Sequence, residues 1–270
     1  MKVMKFGGTS VGSAQRMKGV ASLINDGEDK IVVLSAMSGT TNSLVEICGY
    51  LANNNPEGAN EVINKLETLY RRHINELFST EEYKQQTLSL VREVFNYLRS
   101  FTKQLFTSVE ERIILAQGEI ISTNMVTNYL KEQGISAHLI AALDYMRTDK
   151  NGEPDATYIK EKLTDVLASS PKAQIYITQG FICRNINGEI DNLQRGGSDY
   201  PASLIGAAIG ASEIQIWTDI DGMHNNDPRI VEGTNAVRHL HFEEAAELGY
   251  FGAKILHPTC IQPAKFANIP

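Results

Sequence analysis

The sequence is short of the residues that would tie it to several common chemistries. Its three cysteines, Cys48, Cys183 and Cys260, are odd in number and far apart. There is no CxxC pair and no Cys/His cluster, so a disulfide framework, a structural zinc and thiol redox chemistry are not indicated. No apolar run approaches the roughly 20 residues of a membrane span. Residues 1–8, Met-Lys-Val-Met-Lys-Phe-Gly-Gly, lack the apolar core of a signal peptide. Positive charge is in deficit, with 25 Lys and Arg against 32 Asp and Glu. A net charge of −7 argues against a nucleic-acid-binding face. It leaves room for an anionic small substrate, which needs only local positive charge. No repeat and no low-complexity segment occurs. The 270 residues suffice for one large α/β domain or two small ones. The expectation is a cytoplasmic, enzyme-like protein with reduced thiols that binds neither nucleic acid nor membrane.

Against these absences stands Lys5-Phe6-Gly7-Gly8-Thr9-Ser10-Val11-Gly12-Ser13. A strand that turns through glycines into a helix N-terminus is an anion site, because glycine admits close backbone approach and free amides favour negative charge. Lys5 adds a mobile cation at its mouth. Two familiar motifs are excluded. Gly7-x4-Gly12 is followed by Ser13 and Ala14, so the P-loop lysine is missing, and Thr9 stands where the Rossmann pattern needs its second glycine. These residues alone fit an ordinary βα turn as well as a phosphate cradle.

Along the chain, Met17, Val20, Ala21 and Ile24 predict a helix from residue 13 to about 25. Ile31-Val32-Val33-Leu34 predicts a strand buried on both faces. It empties into the hydroxyl-rich loop 35–42, where Thr41 or Asn42 serves either a ligand or a helix cap. A linker, Asn53-Asn54-Asn55-Pro56-Glu57-Gly58, precedes two helical stripes, Val62 to Leu77 and Leu88 to Phe101. This helical insertion reads as packing and enclosure, with Arg71, Arg72 and His73 on a solvated face. A helix from 109 to about 131 contains Gly118-Glu119. Glycine costs about 1 kcal/mol there, which a close approach would justify. Glu119 is either a grip for a cationic group or an exposed glutamate.

Strands are expected at 137–140, 174–178 and 214–218, and helices at 156–167, 202–211 and 242–250. Asn187-Gly188 marks a hairpin turn, and Asn268-Ile269-Pro270 reads as the start of a strand. A second anion-binding loop is Arg195-Gly196-Gly197-Ser198-Asp199 before the 202–211 helix, where Arg195 can grip a carboxylate bidentately. Asp219, Asp221 and Asp227 point to Mg²⁺ or nucleotide contacts, or to Asx turns, and do not match EF-hand spacing. Lys254 is a second candidate phosphate-binding lysine.

These segments occur in a telling order: Lys5 to Ser10, Gly118-Glu119, Gly180-Phe181, Arg195 to Asp199, Trp217-Thr218-Asp219 with Asp227-Pro228-Arg229, and Gly252-Ala253-Lys254 with Leu256-His257-Pro258. Together, over the whole chain, they resemble the catalytic domain of aspartate kinases in the amino acid kinase superfamily. The insertion and the ending are most similar to the kinase part of bifunctional aspartokinase–homoserine dehydrogenases. The resemblance implies a three-layer α/β/α sandwich around a mainly parallel sheet of about eight strands. It implies a mainly aspartate-binding lobe over 1–190, with the helical insertion at 57–107, and a mainly ATP-binding lobe over 191–270. Lys5, Asp199 and Lys254 would be catalytic, with Asp199 orienting Lys5. Thr41, Glu119, Arg195, Gly197 and Ser198 would hold aspartate, Glu119 on its ammonium and Arg195 on its α-carboxylate. Lys5, Gly7, Gly8, Thr9, Ser10, Thr218, Asp219, His224, Arg229, Lys254 and Ile255 would bind ATP, and no metal ligand is assigned. His224 stands where many members carry a tyrosine beside the adenine, and Asp221 where some carry proline.

The implied reaction is transfer of the γ-phosphoryl group of ATP, with Mg²⁺, to the β-carboxylate of L-aspartate. This is the first step of lysine, threonine and methionine biosynthesis. A carboxylate nucleophile with a pKa of about 4 needs no general base, which agrees with the absence of any His/Asp arrangement for proton removal. Three other readings stand beside it. One is a kinase for glutamate, N-acetylglutamate or carbamate, against which Glu119 discriminates, since an N-acetylated acid has no ammonium. Another is a non-catalytic nucleotide or amino-acid sensor. The last, a nicotinamide-dependent oxidoreductase, lacks its glycine fingerprint. Family members usually continue into ACT-type regulatory domains, and bifunctional ones into a dehydrogenase. The chain is therefore expected to be a truncated catalytic part, monomeric or weakly dimeric, of a homo-oligomeric protein.

Overall fold

The computed structural model describes residues 1–193, 197–227, 230–251 and 258–270. Its elements run β1 (Lys2–Phe6), α1 (Ala14–Ile24), β2 (Lys30–Leu34), α2 (Thr40–Ala52), α3 (Pro56–Leu77), α4 (Glu81–Ser100), α5 (Ser108–Glu132), β3 (Ala137–Leu139), α6 (Ala156–Ser169), β4 (Ile175–Gln179), β5 (Ile182–Arg184), β6 (Ile190–Asn192), α7 (Asp199–Ile209), β7 (Ile214–Trp217), α8 (Phe242–Phe251) and α9 (Pro258–Ala267). Five strands form one parallel sheet in the order β3-β4-β2-β1-β7, and β5 and β6 form an antiparallel hairpin around the expected Asn187-Gly188 turn.

The sheet is covered on both faces, as its continuous apolar runs require. β2 and β4 are buried at every residue. Because successive side chains alternate, Met4, Phe6, Val32, Leu34, Ile175 and Ile177 pack with α1 to α5. Val3, Ile31, Val33 and Tyr176 pack on the opposite face with α6 and α7. The three-layer α/β/α architecture is therefore present. Among the described residues it holds seven strands, five of them parallel, where about eight were expected. In the described residues 218–227 and 230–241, rich in Asp, Asn and Gly, turns and one isolated bridge between His224 and Ala236 stand in place of a ladder. Asn268-Ile269-Pro270 also forms no strand there, although the Ile214 amide donates to the Pro270 carbonyl at 2.9 Å.

Register sets the position of the site. Phe6 lies beside Leu34 on one side and Trp217 on the other, and Leu34 lies beside Gln179. The carboxyl ends of β1, β2, β4 and β7 thus line up in one row. The chain that follows each of them, at Gly7, Ser35, Gly180 and Thr218, emerges along the same sheet edge. That edge is where open parallel sheets bind ligands.

The helical segment is more polar inside than its sequence suggests. His73, expected on a solvated face with Arg71 and Arg72, is 7% exposed. It sits one helical step from Tyr70 and two from Glu67 on the face of α3 that turns toward the core. Helix α7 also starts earlier than expected. Pro201 falls in its first turn, where no amide donor is needed, so the helix begins at Asp199 and stops at Gly210 in the left-handed conformation, φ 59°.

Candidate active site

The glycine turn after β1 is built by close packing against the loop after β2. A Cβ on Gly8 would stand 2.8 Å from the Ala36 carbonyl oxygen, so only glycine fits. The Ser38 amide donates to the Gly8 carbonyl at 3.0 Å, and the Ser10 amide to the Gly7 carbonyl at 3.0 Å. Helix α1 begins only at Ala14, with Ser13 as its own cap, its Oγ accepting from the Arg16 amide at 3.3 Å. The glycine turn thus leads within a few residues into the helix expected from residue 13.

A cavity of about 570 Å³ opens beside this turn. It brings together Lys5, Gly7, Gly8, Thr41, Glu119, Gly197, Ser198 and Asp199 from four separate stretches of chain. Lys5 Nζ lies 2.6 Å from Asp199 Oδ1, with the two side chains 13% and 17% exposed. This is a charge contact across the cavity from the end of β1 to the first residue of α7. Asp199 is welcome at that helix start, where the backbone dipole favours an acid. Ser198 is fixed from the other side, since Ser35 Oγ donates to its Oγ at 2.8 Å. A Cβ on Gly180 would come within 2.3 Å of the same oxygen.

Glu119 is the most informative residue of the cavity. It lies on α5, a helix buried over most of its length, and is 4% exposed. Burial pushes its carboxyl up to about 7, against the pull of the Ala36 amide, which donates to Oε1 at 3.2 Å. No cation pairs with it among the described residues. An exposed glutamate is therefore ruled out. A buried carboxylate without a cation lowers its cost by gaining one. Gly118 explains how it gets there: a Cβ at that position would lie 2.8 Å from the Ala36 Cβ. The missing side chain lets α5 press Glu119 against the loop after β2.

A second cleft, of about 310 Å³, gathers the expected Thr9, Ser10, Thr218 and Asp219 with Phe6, Arg16 and Trp217. The turn is shared: its glycines face the first cavity and its hydroxyl residues the second. Phe6 and Trp217 stack at 5.7 Å, and Arg16 donates to the Thr9 carbonyl at 2.6 Å. His224 does not join either space. It is 8% exposed, with Nε2 2.5 Å from Asp221 Oδ1 and Nδ1 3.0 Å from Thr234 Oγ1. Its ring is held by its own loop. Arg195, Arg229, Lys254 and Ile255 lie outside the described residues. Among the described residues no group of three or more His, Cys, Asp or Glu side chains is placed to hold a metal.

The sequence reading assigned no role to Ser35, Ala36, Met37, Ser38, Gly39 or Phe181, yet all six line the first cavity. The loop 35–42 was visible as a hydroxyl-rich stretch after a buried strand. Phe181 carried a weaker signal, its place beside Gly180. Its backbone is strained, with φ 63° in the left-handed region. In the second cleft, Trp217 was visible as part of the Trp217-Thr218-Asp219 motif, whereas Arg16 carried no signal.

The pair of spaces can hold a small zwitterion on one side of the turn and a phosphate-bearing partner on the other. No histidine or cysteine lines the first cavity among the described residues, so its chemistry is that of charge and alignment.

Comparison with known proteins agrees. The pattern of the amino acid kinase family matches residues 1–270. Aspartokinase 1, chloroplastic, of Arabidopsis thaliana is 36% identical over 99% of this chain and 48% of its own length. The bifunctional aspartokinase/homoserine dehydrogenase of Buchnera aphidicola is 30% identical over 100% of this chain and 34% of its own. The crystal structure of E. coli aspartokinase III in complex with aspartate and ADP superimposes with a TM-score of 0.85 at 30% identity, over 100% of this chain and 60% of that one. The chain thus spans between a third and three-fifths of the length of these relatives.

Proposed function

The chain belongs to the amino acid kinase family, and from that premise we propose that it transfers the γ-phosphoryl group of ATP to the β-carboxylate of L-aspartate. The product is the acyl phosphate 4-phospho-L-aspartate, entering lysine, threonine and methionine biosynthesis in the cytoplasm. The observation that carries the reading is Glu119, a buried acid with no cation beside it among the described residues, on the wall of the cavity that Lys5 enters. It suits the ammonium of an amino acid and is wasted on an N-acylated one. Names of similar proteins support the same substrate: E. coli aspartokinase III was crystallised with aspartate and ADP.

In this reading aspartate lies in the 570 Å³ cavity. Glu119 holds its ammonium, Thr41 and Ser198 its polar groups, and Arg195 its α-carboxylate. The nucleotide crosses the glycine turn toward Thr9, Ser10, Thr218 and Asp219, with Arg229, Lys254 and Ile255 completing its site. Residues 1–190 then serve mainly the amino acid and 191–270 mainly ATP. The nucleophile is already ionised at neutral pH, so no proton has to be removed. The barrier falls through alignment and through neutralising the charge shared by two anions in a loose phosphoryl transition state. Lys5 lines the amino-acid cavity beside the glycine turn, and Asp199 points its Nζ. Mg²⁺ fits as an ion carried by phosphate oxygens and water with one or two carboxylates, for which Asp199 and Asp219 are placed on the two sides of the turn. When bound, it offsets phosphate charge.

The test is acyl-phosphate trapping with hydroxylamine, ATP and Mg²⁺ over aspartate, glutamate, N-acetylaspartate, N-acetylglutamate and carbamate. Hydroxamate with aspartate and none with the N-acetylated acids is the expected result. Product from N-acetylglutamate removes Glu119 from its role. No hydroxamate with any acid, together with ATP binding, points to a sensor.

A further inference from the structure

The helical segment reaches the cavity through one hydroxyl. Tyr70, on α3, is fully buried, and its OH lies 2.8 Å from Thr40 Oγ1. Thr40 is the first residue of α2 and is 2% exposed. The residue before it, Gly39, is in the left-handed conformation at φ 84° and has no side chain to cap the helix. The start of α2, and with it Thr41 on the cavity wall, therefore takes its lateral support from elsewhere.

Thr40 divides its two γ groups between neighbours. Its hydroxyl faces Tyr70, while its Cγ2 lies where a Cβ on Gly118 would come within 3.2 Å. The methyl thus rests on the helix turn that presents Glu119, and Glu119 in turn holds the Ala36 amide at 3.2 Å. Losing the hydroxyl partner frees the Thr40 rotor, because a buried hydroxyl seeks another acceptor. The methyl then leaves Gly118. The Tyr70 ring itself is held independently, with its centroid 5.9 Å from that of Phe95.

We propose that Tyr70 is a positioning residue, which through Thr40 sets the spacing between Thr41 and Glu119 and so tunes the grip on the amine-bearing end of the substrate. The inference rests on the proposed function, since it takes Glu119 as the ammonium holder. It gives the segment 56–100 a part in substrate recognition beyond packing. The second cleft, with Thr9, Ser10, Thr218 and Asp219, has no link to Tyr70 among the described contacts. The effect belongs to the amino acid alone.

Tyr70→Phe in the 270-residue chain keeps the ring and removes the hydroxyl. It is expected to raise both the aspartate KM and the aspartate Kd from calorimetry about five- to tenfold, the effect of one net hydrogen bond. The ATP KM should stay within about twofold and kcat within about threefold of the parent. Thr40→Val, the second variant, should reproduce the effect, and the double variant should be no worse than the weaker-binding single. An aspartate KM unchanged in both singles overturns the proposal. So does an ATP KM that rises in step with it, which is general loosening. Additive losses in the double variant overturn it as well. A parent chain that neither binds nor phosphorylates aspartate fails the functional reading and this inference together. A parent that does both, with normal Tyr70→Phe constants, fails this inference alone.

Discussion

At the scale of single residues, two charges define what the cavity accepts. Burial pushes the Glu119 carboxyl from its ordinary 4.5 up to about 7, so its ionisation is costly while no cation sits beside it. The stability that its proton contributes is complete below pH 4.5 and lost as pH rises to about 7. Between pH 4 and pH 8 the difference between Glu119→Gln and the parent should therefore shift by on the order of 3 kcal/mol in the variant's favour. Denaturant melts at the two pH values measure it, and no shift would mean that the carboxyl is solvated. Aspartate reverses the logic: its affinity should rise with pH up to about 7, and Glu119→Gln should flatten that slope while weakening binding. Lys5 is the complementary case. Lys5→Met should lower kcat by about a thousandfold or more, the scale of losing a preorganised charge. It should leave the fold intact, because Asp199 keeps its place at the start of α7. A variant with near-normal kcat would remove Lys5 from the transfer.

At the scale of elements, glycines decide which surfaces touch. Gly118→Ala would raise helix propensity by about 1 kcal/mol in an exposed helix. Here the added Cβ meets the Ala36 Cβ at 2.8 Å and the Thr40 Cγ2 at 3.2 Å. Overpacking outweighs propensity, so the variant should lose about 1–2 kcal/mol and raise the aspartate KM. A gain in thermal stability would refute the close approach. Much of this level was legible in the sequence. β2 announced itself because a run of β-branched residues suits a strand covered on both faces, and the hairpin because Asn187-Gly188 supplies the turn it needs. The oddity of Gly118-Glu119 inside a helix was visible, but its depth was not, since α5 mixes apolar and polar residues around its circumference and shows no polar stripe to orient it. The start of α7 was misplaced because a proline in a first turn looks like a break. The hydrogen bonds of His224 to Asp221 and Thr234, three and ten residues away, were not legible, because a turn-rich loop has no periodicity to read.

At the scale of the whole molecule, the two halves of one sheet face respond oppositely to acid. The cavity relaxes as pH falls, because Glu119 gains its proton. The helical segment instead loses stability. Burial holds His73 below its usual range despite nearby Glu76, so its contribution to stability begins to fall as pH drops through 6.5. Glu67 follows at lower pH. Burial alone would raise it, but Arg99 and Arg71 outweigh that and hold its carboxyl below 4.5. Its contribution is present above 4.5 and lost as pH falls through its folded value. Helices α3 and α4 carry these groups, whereas β1 and β2, at the centre of the sheet, carry none of them. Hydrogen exchange corrected for intrinsic rates should therefore show protection in 56–100 falling relative to 2–6 and 30–34 between pH 7 and pH 5. His73→Gln should remove most of that fall, since the Glu67 contribution is lost only below pH 4.5. Uniform loss across sheet and helices would mean that the molecule opens as one unit. Selective loss in the helices would instead make the segment that carries Tyr70 the first to loosen, so that acid weakens aspartate binding through α3 as well as through Glu119.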